Sequence, residues 1–294
     1  MRAVAAILLA LATFTTAAQA QTIKDFLAQV MKHWTTPIEP FRVIDNIYYV
    51  GTEGIAVYII KTSQGLILVD TAMPQSTGLI KDSMGKLGFK VADIRLIVNS
   101  HAHLDHTGGF AEMKKESGAP LVAGERDKPL LEGGYYPGDE KNADLAFPPV
   151  KVDRAVKEGD KVTLGDVTLI AHSTPGHSPG CTSWETRAKD AGKERSVLFF
   201  CSGTVALNHL VGGSTTYPGI VDDYRATYAK AKAMNPDVLL GPHPEVYDME
   251  AKRAQMKDGA PNPFVKPGEL ATYIATLEKD FNTQLEKQTA AAKN

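Results

Sequence analysis

The chain has 294 residues, 43% hydrophobic and 22% charged, with a formal net charge of −2. Such a composition supplies the core of a soluble protein, as one large layered domain or two modest ones. So mild a charge balance argues against a nucleic-acid partner, which needs a strong basic excess.

Met1-Arg2 precedes an apolar run, Ala3 to Ala12, that is too short to span a bilayer, and Ala18-Gln19-Ala20 places small residues two apart. This reads as a secretory signal over 1–20, cleaved after Ala20, leaving one domain over 21–294 in the periplasm or outside the cell. No other stretch could cross a membrane. Ile23, Phe26, Leu27, Val30, Met31 and Trp34 then recur like one face of a helix over Thr22 to Trp34. That face needs a surface, either across the mouth of a site or on the outside of the fold.

Phe41 to Val50, Ile55 to Ile60 and Gly65 to Asp70 read as three short strands, with turns at Gly51 to Gly54 and Thr62 to Gly65. Pro74 to Gly88 reads as a helix with a glycine stop, followed by a buried strand over Ile94 to Asn99. Directly after that strand comes Ser100-His-Ala-His-Leu-Asp-His-Thr-Gly-Gly109. Three histidines and a carboxylate at i, i+2, i+5 and i+4 share no face of a helix or a strand, so a tight loop is expected to gather them. Imidazoles and one carboxylate suit borderline-soft Zn²⁺, and the two glycines let a helix over Thr107 to Ser117 begin close to a bound ion.

A short strand at Pro120 to Ala123 and a short helix at Glu125 to Leu131 lead into a long aperiodic stretch, Gly133 to Pro149. Tyr135, Tyr136 and Phe147 within it are candidates to wall a pocket. Strands are expected at Val150 to Val156, Lys161 to Leu164 and Val167 to Ala171, with Gly165-Asp166 as a hairpin turn. Cys181 to Thr186 and Val197 to Cys201 form a second hairpin folded at Ala191, midway between the two cysteines. In that arrangement the thiols face each other, and a disulfide between Cys181 and Cys201 is predicted in an oxidising compartment. Asp222 is expected to cap a helix ending at Asn235-Pro236, and Val238 to Leu240 reads as a buried strand. Helices over Glu245 to Met256 and Glu269 to Gln288 complete the chain.

His177, in Pro175-Gly-His177, and His243, in Gly241-Pro-His-Pro244, both follow strand ends, where side chains converge at a sheet edge. His33 and His209 read as surface residues, and His172 as a packed residue or one supporting a ligand. Six candidate ligands divide into two sets of three, each with room for water, as in a two-metal hydrolytic site.

His101-Ala-His-Leu-Asp-His106, Asp70 at a strand end, His177 and His243 together resemble the metallo-β-lactamase superfamily over nearly the whole mature chain. Within it the chain is most similar to the third subclass of class B β-lactamases. His106 follows Asp105, and Ser202 in Phe200-Cys-Ser-Gly-Thr204 stands where the first subclass has a ligating cysteine. Thioesterase relatives carry a bridging aspartate in that region, and this chain has no carboxylate between Glu194 and Asp222. Cys201 neighbours the same position, but strand alternation should turn it to the face opposite Ser202, toward the disulfide.

The resemblance implies an α/β, four-layered αββα sandwich holding two zinc ions. One is bound by His101, His103 and His177, the other by Asp105, His106 and His243. It implies a zinc-dependent β-lactamase that cleaves the β-lactam amide with a metal-bound hydroxide, working as a monomer on a small molecule. Asp105 would also orient the nucleophile, Ser202 and Thr204 would meet the substrate carboxylate, and Asp70 would fix a ligand by hydrogen bonding. The alternatives are another two-zinc hydrolase of the same fold, acting on a lactone or thioester, or a non-catalytic periplasmic zinc-binding protein.

Overall fold

The computed structural model describes residues 28–293. The predicted signal and the first part of the predicted helix, up to residue 27, lie outside the described residues. Residues 28–35 are helical (α1). The first sheet contains seven strands in sequence order: β1 (Phe41–Ile44), β2 (Ile47–Tyr49), β3 (Tyr58–Thr62), β4 (Gly65–Val69), β5 (Ile94–Val98), β6 (Leu121–Gly124) and β7 (Arg154–Val156). Pairing is antiparallel from β1 to β4 and parallel from β4 to β7. Parallel neighbours need crossovers, which α2 (Thr77–Lys86) and the pair α3 (Leu104–Thr107) and α4 (Phe110–Ser117) supply, and α5 (Lys128–Gly133) follows β6.

The second sheet runs in the order β12 (Val238–Leu240), β11 (Lys193–Phe199), β10 (Thr182–Asp190), β9 (Val167–Ser173) and β8 (Lys161–Leu164). Only the β11–β12 pair is parallel. α6 (Ile220–Ala233) lies between β11 and β12 in sequence, and α7 (Met249–Gln255) and α8 (Glu269–Ala291) close the chain.

Alternation along β4 sorts the core. Ile67 and Val69 join the cluster that includes Trp184 and Leu169 of the second sheet, whereas Leu66 and Leu68 pack with Ile80, Met84, Phe110 and Met113 of the flanking helices. Both faces of the strand are therefore buried, which explains its unbroken apolar run. On the far side of the second sheet, Tyr228 of α6 meets Phe281 of α8 with ring centroids 5.5 Å apart. The four-layered αββα arrangement expected from the sequence is the one observed.

Several local expectations are corrected. The 41–50 run is two strands, because Asp45 takes a positive φ of 47° and turns the chain between Ile44 and Ile47. The next strand begins at Tyr58 rather than Ile55, and Ala56 instead donates to the carbonyl of Pro242 across the fold. Only Arg154–Val156 of the predicted 150–156 strand is paired. The predicted 245–256 helix breaks at Asp248, with φ 54°, into a short 3-10 turn and α7. Gly219 occupies the cap position of α6, and Asp222 lies in its first turn, where a negative charge suits the helix dipole.

The β10–β11 hairpin turns through Ala191 and Gly192, both at positive φ, and pairs Asp190 with Lys193. Continued along the strands, this register sets Cys181 opposite Ser202, one residue away from the expected facing pair. The strands stop at Thr182 and Phe199, so both cysteines lie beyond the ladder and are free to meet. They form a disulfide, with Cα atoms 5.9 Å apart.

Candidate metal centre

The histidine motif straddles an element boundary. His101 and His103 lie in the loop after β5, whereas Asp105 and His106 occupy the first turn of α3, so the expected single tight loop is in fact a loop and a helix start. His177 lies in the loop joining β9 to β10, and His243 follows β12. One ring nitrogen from each of His101, His103 and His177 lies within 4.8 Å of the others, and the same holds for ligand atoms of Asp105, His106 and His243. In the second set Asp105 Oδ2 is 3.0 Å from His106 Nε2 and 3.4 Å from His243 Nε2, and the two imidazole nitrogens are 3.2 Å apart.

Backbone and hydroxyl partners fix how these rings point. His177 Nδ1 donates to the Thr204 carbonyl at 2.8 Å, and His243 Nδ1 donates to the Gly54 carbonyl at 3.0 Å. Each contact leaves Nε2 as the nitrogen with a lone pair. Asp70 acts on His101 through an intermediary: its Oδ2 accepts from Ser100 Oγ at 2.6 Å, and that hydroxyl lies 3.0 Å from His101 Nδ1. Asp70 Oδ2 is 3.9 Å from His106 Nδ1, beyond hydrogen-bond reach. Asp70 therefore reaches His101 by way of the Ser100 hydroxyl rather than by a direct bond.

The residues fit a metal ion on their own chemistry. Nε2 of His101 and of His103 are buried without a hydrogen-bond partner, although buried polar atoms are otherwise almost always paired. Burial, reinforced by neighbouring imidazoles, holds His101 and His103 well below the ordinary histidine range, and burial lowers His177 to about 4. At neutral pH these are uncharged donors, as metal ligation requires. Burial pushes the Asp105 carboxyl up, but the charges and hydrogen bonds of His106 and His243 outweigh it and hold the group well below the usual carboxylate range. Burial lowers His243, yet Asp105, with Glu245 and the Gly54 carbonyl, more than compensates and the net shift is upward.

Both sets open into one cavity of about 510 Å³. Ser202 and Thr204 line it, with their hydroxyl oxygens 3.3 Å apart. Of the three central-loop aromatics, Tyr136 lines the cavity and stacks on His103 at 4.5 Å, whereas Phe147 and Tyr135 pack in the core beneath α5. Val30 and Trp34 of α1 also border the cavity, which places the first helix at the mouth rather than on the outer surface. Leu145, Leu207 and Tyr273 add apolar wall. His172 pairs with Glu185 at 3.0 Å and is a packed residue that touches no ligand.

Sequence reading missed Asp127. It is fully buried, its Oδ2 accepts from Ala102 N at 2.9 Å and Ser178 Oγ at 2.7 Å, and its Oδ1 accepts from Gly180 N at 2.6 Å. Burial raises its carboxyl to about 6. Nothing in Glu125-Arg-Asp127 sets this aspartate apart from an ordinary helix-start residue.

Comparison with known proteins bears on this geometry. The family model of the metallo-beta-lactamase superfamily matches residues 50–243. BJP-1, a subclass B3 metallo-beta-lactamase of Bradyrhizobium japonicum, is 79% identical, with a TM-score of 0.88 over 89% of this chain and 99% of that one. FEZ-1, a metallo-beta-lactamase from Legionella gormanii, is 34% identical, with a TM-score of 0.83 over 87% and 98% of the two chains. An N-acyl homoserine lactonase from Bacillus cereus is 28% identical over 46% of this chain and 59% of its own. The chain spans about half the length of the curated relatives it matches. No helix among the described residues is long and apolar enough to cross a membrane. On the family model and on the fold shared over almost the whole length of two such enzymes, this chain belongs to the metallo-beta-lactamase superfamily.

Proposed function

We propose that this protein is a zinc-dependent β-lactamase of the B3 type that works in the periplasm as a monomeric single domain. His101, His103 and His177 would hold one ion and Asp105, His106 and His243 the other. The observation that carries the reading is the pair of three-ligand clusters opening into a single cavity, in a chain similar to BJP-1 at 79% identity. When bound, the ions supply Lewis acidity toward the amide carbonyl and make water acidic enough to be a nucleophile at neutral pH.

The chain's own residues do the rest. Asp105, ionised and held between His106 and His243, orients the nucleophile through hydrogen bonding, and as a ligand it is not free to act as a separate base. Ser202 and Thr204 offer two hydroxyl donors on one wall, the pattern that a substrate carboxylate accepts. Trp34, Leu145, Leu207 and Tyr273 exclude water around the reacting amide, which strengthens every polar interaction in the cavity.

The test is turnover of a chromogenic cephalosporin, a penicillin and a carbapenem with and without chelator, beside an acyl homoserine lactone and an acyl thioester. β-Lactam cleavage that stops on chelation and returns with zinc is expected. Lactone or thioester cleavage without β-lactam turnover would replace the reading with another hydrolase, and zinc binding without any turnover would replace it with a binding protein.

A further inference from the structure

We propose that Asp127 is a positioning residue that fixes the distance between the two arms of the three-histidine set. The inference rests on the assignment of His101, His103 and His177 to one ion. His101 and His103 come from the loop after β5 in the first sheet, and His177 comes from the β9–β10 loop of the second. The arms therefore belong to different layers, and something must hold them in register.

Asp127 touches both. One oxygen takes the amide of Ala102, the residue between His101 and His103, together with the hydroxyl of Ser178, which follows His177, and the other oxygen takes the amide of Gly180. Three donors converge on one buried carboxylate, so an acid is the side chain that satisfies them all. The backbone is shaped for the contact. A Cβ on Gly180 would lie 2.2 Å from the amide nitrogen of Asp127, and one on Gly124 would lie 2.0 Å from the Gly180 carbonyl oxygen. Asp127 touches no ligand directly, so its influence passes through Ala102 and Ser178.

Replacing the carboxylate by an amide tests this, because Asp127→Asn keeps the volume but turns an N–H₂ group toward a backbone or hydroxyl donor. The measurement is zinc affinity of the full mature protein, by titration against a chromophoric chelator, with circular dichroism to verify folding. Wild type is expected to bind two ions, and failure to bind any would refute the underlying assignment rather than this proposal. Asp127→Asn is expected to weaken binding at the three-histidine set by roughly 10- to 100-fold, the usual range for an outer partner of a ligand. In a His177→Ala background, where only the Asp105, His106 and His243 set remains intact, the same substitution is expected to leave zinc affinity unchanged. Ser178→Ala removes one of the three bonds and should shift affinity in the same direction by less, which keeps the test alive if Asp127→Asn does not fold. A folded Asp127→Asn protein with affinity within about twofold of wild type, or an equal loss in the His177→Ala background, overturns the proposal.

Discussion

The Trp34 ring lies 5.8 Å from the His243 imidazole, inclined at 40° to it. Trp34 also anchors the chain behind it, since its carbonyl accepts from Thr52 Oγ1 at 2.7 Å, two residues before the Gly54 carbonyl that orients His243. Removing the ring should enlarge the mouth without removing a ligand. Trp34→Ala is expected to change KM for bulky β-lactams by several-fold, up to about tenfold for the loss of an apolar contact, with the ion content per chain unchanged. Steady-state kinetics beside metal analysis checks it, and an unaltered KM with every substrate removes α1 from substrate access.

The two ligand sets should be separable by substitution. His177→Ala and His243→Ala are each expected to lose one ion per chain and to lower kcat/KM by about a hundredfold or more, the usual scale for losing one metal-held electrophile. Atomic absorption together with kinetics reads both quantities. Full ion content in either variant would show that the residue concerned is not a ligand.

Acid should weaken the metal-free protein through His177, and the sign follows from linkage. Burial lowers this histidine to about 4 in the folded state, whereas the unfolded chain titrates near 6.5, so between those values the unfolded state binds more protons. Stability is intact above about pH 6.5 and is lost as pH falls toward 4, by up to about 3 kcal/mol from this group. Measured with chelator present, wild type should lose stability relative to His177→Gln across that window. A pH-independent difference would contradict the burial argument.

The disulfide joins residues 20 apart in sequence at the open end of a hairpin. Closing a loop of that length stabilises the fold by about 3 kcal/mol in the chain-entropy model. A Cys181→Ser, Cys201→Ser double variant is expected to unfold at correspondingly lower denaturant, and thiol titration of unfolded, unreduced wild type should find no reactive group. Two titratable thiols would show that the bridge does not form.

The six ligand candidates were legible in the sequence because their chemistry is local: His-x-His-x-Asp-His and two histidines in Gly/Pro turns announce themselves by type and spacing. The sandwich was expected through the family that these residues resemble; a run such as Gly65 to Asp70 announced only a strand, and its burial on both faces at Leu66 to Val69 is what the structure adds. The supporting residues were not. Asp127 is marked only by donors at Ala102, Ser178 and Gly180, up to 53 residues away, and no periodicity reports a contact of that range. Boundaries failed where one residue adopted a left-handed backbone, as at Asp45 and Asp248, a conformation that aspartate tolerates without advertising it. The one-residue hairpin shift around Ala191 and Gly192 had the same origin: a midpoint count cannot distinguish a two-residue turn from a three-residue one.

Each ligand set draws two members from the β5 side of the molecule and one from the other sheet: His101 and His103 with His177, Asp105 and His106 with His243. An ion in either set would therefore act as a rivet through the seam between the two halves of the sandwich, beside the bond from Trp184 Nε1 to the Asn99 carbonyl that already crosses it. Metal supply and mechanical integrity become one property, because any ion that favours the closed halves over the separated ones adds to the folding free energy by mass action. In zinc-starved surroundings the protein would forfeit cohesion along with catalysis, and its lifetime against proteases would track the same metal that sets its activity.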